Sequence, residues 1–104
     1  MSSITGYLTE DNGQQFMDRI SIQLKQNNLN DGQKARVLEH ISEFDEFFGK
    51  EDVILDRVEN VLKQSNHNNV EQNARKLLDK LEEIGEADQA RIDQIQEDYL
   101  SNEN

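Results

Sequence analysis

One stretch of this chain is written twice. Asp18, Arg19, Leu24, Lys25, Gln26 and Asn28 recur in order as Asp56, Arg57, Leu62, Lys63, Gln64 and Asn66, with Ile20 matched by Val58. A second block follows the same rule: Asn30, Gln33, Ala35, Arg36 and Leu38 return as Asn69, Gln72, Ala74, Arg75 and Leu77. The offset is 38 residues in the first block and 39 in the second, a slip that a connecting turn absorbs. Both blocks carry their apolar residues at helical spacing. A chain of this kind is therefore expected to fold as a duplicated helical hairpin.

The total absence of Pro supports long helices joined by short polar links. Residues 1–12 read as a lead-in that either packs back on the domain or stays disordered, with Ile4, Tyr7 and Leu8 as its apolar groups. Thr9, Asp11 or Asn12 would cap the first helix. That helix is predicted from about Gln14 to Asn27, with Phe16, Met17, Ile20 and Leu24 on one face and Ile22 opposite. The second, about Gly32 to Phe48, is capped by Asn30 or Asp31. It turns Val37, Leu38, Ile41, Phe44 and Phe48 inward, with Phe47 widening the stripe and Glu39, Glu43 and Glu46 outside. Gly49 reads as its left-handed C-cap. Three of the four Phe fall within five residues here, which places the centre of the core on this helix.

The second hairpin spans 51–84. Its first helix, about Glu51 to Ser65, buries Ile54, Leu55, Val58, Val61 and Leu62. Its second, about Asn69 to Ile84, buries Val70, Ala74, Leu77, Leu81 and Ile84 at the four-three spacing of close helix packing. A partial third echo closes the chain. Ile92, Asp93, Ile95 and Tyr99 sit as Leu55, Asp56, Val58 and Leu62 do, on a helix over 86–101 with an acidic exterior. Such a terminal helix behaves as a cap on a stack, and residues 102–104 should fray. The expectation is a single all-α domain over 13–101, five helices making two and a half αα units, arranged as a compact bundle or a short solenoid. The period exceeds the ~34 residues of tetratricopeptide units, and the aromatic and Pro signals of that family are missing, so the pattern assigns no family.

Charge narrows the function. With 22 acidic residues against 11 basic ones in 104, the formal net charge is −11. A nucleic-acid binder needs a basic footprint, and an anionic membrane surface repels such a chain. Its partners are expected to be proteins with basic or neutral surfaces. There is no Cys to form disulfides or thiolate metal sites. No apolar run approaches the ~18 residues that cross a membrane, and no basic, apolar leader opens the sequence, so a cytoplasmic protein is expected. Asn- and Gln-rich acidic composition without Cys or Pro would suit a phage or mobile-element gene.

Catalytic patterns are missing. His40, with Glu43 three residues along, is half of a metal or proton-transfer pair, but it reads better as an edge histidine hydrogen-bonded to a neighbouring helix. His67, in an Asn-rich turn, reads as solvated. Neither histidine has Glu three residues before it, which removes the di-iron bundle pattern. The five glycines are scattered singly rather than forming a phosphate loop. The acidic cluster of Glu82, Glu83, Glu86, Asp88, Asp93, Glu97 and Asp98, interrupted only by Arg91, lacks the ligand spacing of a calcium loop.

The sequence thus reads as a non-enzymatic protein-interaction module without cofactor or metal. Its candidate contact residues are Asp18, Arg19, Asp56 and Arg57 on the repeated helices and Glu86, Asp93, Glu97 and Asp98 on the terminal one. Gln23, Gln26, Asn60 and Gln64 flank the first group. Two alternatives stand beside it. The Ile92, Ile95, Tyr99 stripe would pair with another subunit in a self-assembling structural protein. Alternatively, the carboxylates would imitate phosphates and inhibit a nucleic-acid-binding protein.

Overall fold

In a computed structural model that describes residues 10–25, 29–65 and 67–100, helices succeed one another with no strand among the described residues. They are α1 (Glu10–Lys25), α2 (Asp31–Ser42), α3 (Glu51–Gln64), α4 (Asn68–Ile84) and α5 (Gln89–Ile95), the last running on into a π-helical turn, Gln96–Leu100. The molecule measures 38 × 30 × 25 Å with a radius of gyration of 13.0 Å, about that of a compact chain of this length. Of the two arrangements left open by the sequence, the compact one is found.

Local chemistry explains most helix ends. Asn30 caps α2 through a reciprocal box: its Oδ1 accepts from the Gln33 N–H at 2.8 Å, and Gln33 Oε1 accepts from the Asn30 N–H at 2.9 Å. His67, expected to be merely solvated, caps α4 with Nδ1 accepting from the Asn69 N–H at 3.2 Å. Gly85 ends α4 at φ 84, returning its N–H to the Leu81 carbonyl. Asp88 caps α5 by accepting from the Ala90 N–H at 3.0 Å. At the N-terminal side, α1 starts four residues earlier than expected, so Asp11 and Asn12 lie inside it rather than capping it. Thr9, the remainder of the 1–9 lead-in and the tail at 102–104 lie outside the described residues.

The main departure is at α2. Instead of running to Phe48 it stops at Ser42, whose hydroxyl donates to the Glu39 carbonyl at 2.6 Å. Glu43 and Phe44 then bond back only three residues, to His40 and Ile41, a tightened last turn. A helix continued to Phe48 would carry Phe47 along its flank, whereas the non-helical segment 43–50 buries Phe44, Phe47 and Phe48 together. It closes with a turn in which the Lys50 N–H reaches the Phe47 carbonyl at 3.0 Å, with Phe48 at φ 57 and Gly49 at φ 78. Two successive positive φ values belong to a type I′ turn. Gly49 is therefore left-handed as expected, but in this turn and not as a helix cap.

Like helices pack on like. The most extensive interface joins α2 to α4, followed by α1 with α3, and both outrank the contact within either hairpin. Asn73 Nδ2 on α4 donates to the Ala35 carbonyl on α2 at 2.8 Å, and Ser65 Oγ after α3 donates to Asp31 Oδ1 at 2.8 Å. The two hairpins nonetheless differ in form: α2 has 12 residues and α4 has 17. Sequence correspondence between them stops at Leu38 and Leu77, just before α2 breaks. The likeness lies in the first turns and in the packing partners, and a duplication is not established by it.

The core follows the expected faces closely. Met17, Ile20 and Leu24 of α1, all five inward residues of α3, and Val70, Ala74, Leu77 and Leu81 of α4 are buried, joined by Leu78. Ile22 stays 56% exposed. At the C-terminal end Ile92, Ile95 and Leu100 are buried while Tyr99 is only half-buried. The wider π-helical turn aligns residues five apart, which puts Leu100 and not Tyr99 beneath Ile95. Arg75 Nη2 secures this end by donating to the Leu100 carbonyl at 3.0 Å.

Candidate functional site

The acidic run from Glu82 to Asp98 depends on where its one cation goes. Arg91 turns away from its neighbours and toward α3, with Nη2 2.8 Å from Asp56 Oδ1 and 3.3 Å from Glu59 Oε1. Burial works against its charge, but the hydrogen bond and charge of Asp56, reinforced by Glu59, outweigh that and hold the guanidinium above its ordinary pKa. The outer carboxylates meet neutral groups instead. Gln89 Nε2 donates to Glu82 at 3.1 Å and to Asp93 at 3.0 Å, and Gln94 Nε2 donates to Asp98 at 3.0 Å. Asp88 is engaged with the Ala90 N–H. Glu82, Glu83, Glu86, Asp93, Glu97 and Asp98 are all exposed.

The repeated Asp–Arg pairs are not equivalent in use. Asp18 meets Lys50 at 3.3 Å and Asp56 meets Arg91 at 2.8 Å, so each Asp pairs with a cation from beyond its own helix. Arg19 is exposed beside a shallow recess of about 230 Å³ formed with Asn12, Gln15 and Phe16. Arg57 is half-buried, and its Nε has no hydrogen-bond partner among the described residues. Gln23, Asn60 and Gln64 are exposed, while Gln26 lies outside the described residues. The structure thus brings Asp56 together with α5 through Arg91, whereas Glu86 faces a different feature from Asp93, Glu97 and Asp98.

That feature is a cleft of about 470 Å³ between segment 46–51 and the α4–α5 turn. Phe47, Phe48, Gly49 and Ile84 supply its apolar lining, and Glu46, Glu51 and Glu86 its carboxylates. Glu51 is the unusual member. It opens α3, is only 8% exposed, and makes no hydrogen bond or ion pair with the described residues. Glu46, read from the sequence as one of three carboxylates on a helical outer face, instead stands in the wall of this cleft because α2 has already ended. Nothing in the spacing of Glu46, Glu51 and Glu86 announces that they would share a recess. Only the break at Ser42 and the turn at Phe48–Gly49 bring them there.

His40 lies against aromatic rings. Its ring centroid is 6.0 Å from that of Phe44, edge-on, and 6.3 Å from that of Phe16, which itself stacks on Phe44 at 5.2 Å. The interhelical hydrogen bond expected for it is not found among the described residues. Glu43 forms the C-cap of α2 and is exposed. Among the described residues no group of three or more His, Asp or Glu is placed to hold a metal ion, and no helix is long and apolar enough to cross a membrane.

The chain matches no protein-family model, no curated protein and no solved structure.

Proposed function

We propose that this chain is a non-enzymatic interaction module whose acidic α4–α5 exterior engages a basic surface on a partner protein. The observation that supports it most is the disposition of Arg91: the one cation within the acidic run is committed to Asp56 and Glu59. Of the carboxylates outside it, Glu82, Asp93 and Asp98 have neutral amide partners. A field of one sign raises the encounter rate with a surface of the other and selects against like-charged partners. Strongly basic surfaces built to hold phosphates are among those such a face would fit, so inhibition of a nucleic-acid-binding protein is one form the module takes.

Self-assembly through the C-terminal stripe is less well supported. Ile92 and Ile95 are buried in the chain's own core, where α5 meets α3 and α4. A second subunit would have to displace those helices.

The test compares the wild-type chain with the triple variant Asp93→Asn, Glu97→Gln, Asp98→Asn in capture of host proteins at low and high salt. A partner held by the wild type at low salt, released at high salt and lost by the variant supports the reading. Capture that ignores both salt and the three substitutions removes it.

A further inference from the structure

We propose that the cleft between segment 46–51 and the α4–α5 turn receives one cationic side chain, a lysine or arginine carried by a basic partner polypeptide. This rests on the reading of the chain as an acidic interaction module and names the contact that would give that module specificity.

Glu51 carries the inference. Glu51 as a residue is only 8% exposed, and a carboxylate so placed gains from a counter-charge. The start of α3 offers a partial positive charge, yet no donor among the described residues reaches it. Its open side faces the cleft. Glu46 and Glu86 stand in the walls of the same recess, so the potential inside it favours a cation. The remaining lining is apolar: Phe47, Phe48 and Ile84. Lysine and arginine combine an aliphatic stem with a charged head, and they lay the stem along apolar surface while the head finds its counter-charge. An aromatic wall adds to the attraction of such a head.

Other occupants fit less well. An anion meets three carboxylates. A metal ion needs several oxygens converging at short range, and no such group exists among the described residues. A polypeptide also gains from the exposed Glu82 and Glu83 on the adjoining turns of α4, which a lone amine would not reach.

The wall itself is well held. Gln14 Nε2 on α1 donates to the Phe48 carbonyl at 3.1 Å, fixing the left-handed residue that shapes one side of the recess. A cavity of about 470 Å³ lies within the ~300–1,000 Å³ typical of ligand sites, so a side chain enters without rearrangement of the helices.

The test uses the full chain with a hexa-arginine peptide as probe and hexa-citrulline as its uncharged counterpart, read by amide NMR shifts and calorimetry. Hexa-arginine is expected to shift the amides of residues 46–51 and 84–86, and hexa-citrulline is not. Glu51→Gln should lower affinity about tenfold, the scale for a desolvated charge pair, while Asp93→Asn should lower it by no more than about threefold. Melting curves check that Glu51→Gln folds. Glu86→Gln, at an exposed site, provides a second variant with an expected loss of about threefold. Wild-type affinity in Glu51→Gln, or shifts confined to α5, overturns the cleft and leaves the acidic module standing. No hexa-arginine binding at low salt overturns both. Calcium chloride reproducing the shifts at 46–51 would replace the organic cation with a metal and overturn the assignment.

Discussion

The ring of Phe48 occupies the space that a side chain at position 13 would need. A Cβ built on Gly13 would come within 2.5 Å of three ring carbons of Phe48. This contact lets a residue with φ 57 lie flat against α1 while Gln14, one position along, takes its carbonyl. A left-handed backbone costs a residue with a side chain roughly 1–2 kcal/mol. Burial of the phenyl ring offsets that.

Gly13→Ala is therefore expected to destabilise the protein, although alanine is the better helix former by about 1 kcal/mol. Overpacking of a ring in a closed site costs ~1–3 kcal/mol, which exceeds the helix-propensity gain over most of that range. Thermal melting decides it. A raised melting temperature in Gly13→Ala would mean that Phe48 does not sit on α1.

Two other glycines should respond in opposite directions. Gly85 has φ 84 with nothing within 4 Å of an added Cβ, so Gly85→Ala isolates backbone strain and is expected to cost about 1 kcal/mol. Gly32 lies in the first turn of α2, where the nearest atom to an added Cβ is Asn30 Oδ1 at 3.4 Å. Gly32→Ala should stabilise by about 0.4–1 kcal/mol. Urea denaturation of the two variants side by side checks both signs, and equal effects would contradict the left-handed cap at Gly85.

Asn73→Ala removes the side-chain bond to the Ala35 carbonyl that ties α4 to α2. The expected loss is about 0.5–1.5 kcal/mol. Gln72→Ala, next to it but exposed, should change stability by less than about 0.5 kcal/mol. Chemical denaturation curves that fail to separate the two would remove Asn73 as a cross-link.

Arg91→Gln opens the bridge from α5 to Asp56 and Glu59. All three side chains are partly exposed, so screening limits the loss to no more than about 1 kcal/mol, shrinking as salt is added. The sign with pH is definite. A cation whose folded pKa is raised contributes stability that is fully present below its unfolded pKa and is lost only as pH rises through the folded value. For Arg91 that window lies beyond the alkaline limit of ordinary buffers, so its own titration adds no slope near neutrality. Hydrogen exchange at Ile92 and Ile95, faster in the variant and indifferent to salt there, is the signature to measure.

Periodicity made most of the core legible. In α1, α3 and α4 the apolar residues recur every three or four positions without interruption, and the buried faces fall where that spacing puts them. The end of α2 was hidden by the same rule: Phe44 and Phe48 continue the helical spacing past Ser42, with no Pro or Gly before Gly49 to mark a break. Burial of three rings overrode the period. At the other end, Tyr99 sits where an α-helical stripe would place it, and only the π-helical turn moves Leu100 into that position. Of the candidate contact residues, Asp93, Glu97 and Asp98 are exposed as their charge suggested. The burial of Glu51 was not legible because an acidic residue in a first turn is what any helix dipole favours.

The α2–α4 interface also bears on how the chain comes together. Its hydrogen bond from Asn73 to Ala35 closes a loop across the whole of α3, and the Ser65–Asp31 bond spans nearly as far. Loop closure of that length must precede most of the burial that rewards it. A fragment ending before α3 would leave α1 without α3 and α2 without α4, the partners each packs on most. The interlocked set of four helices is thus expected to unfold as one cooperative unit.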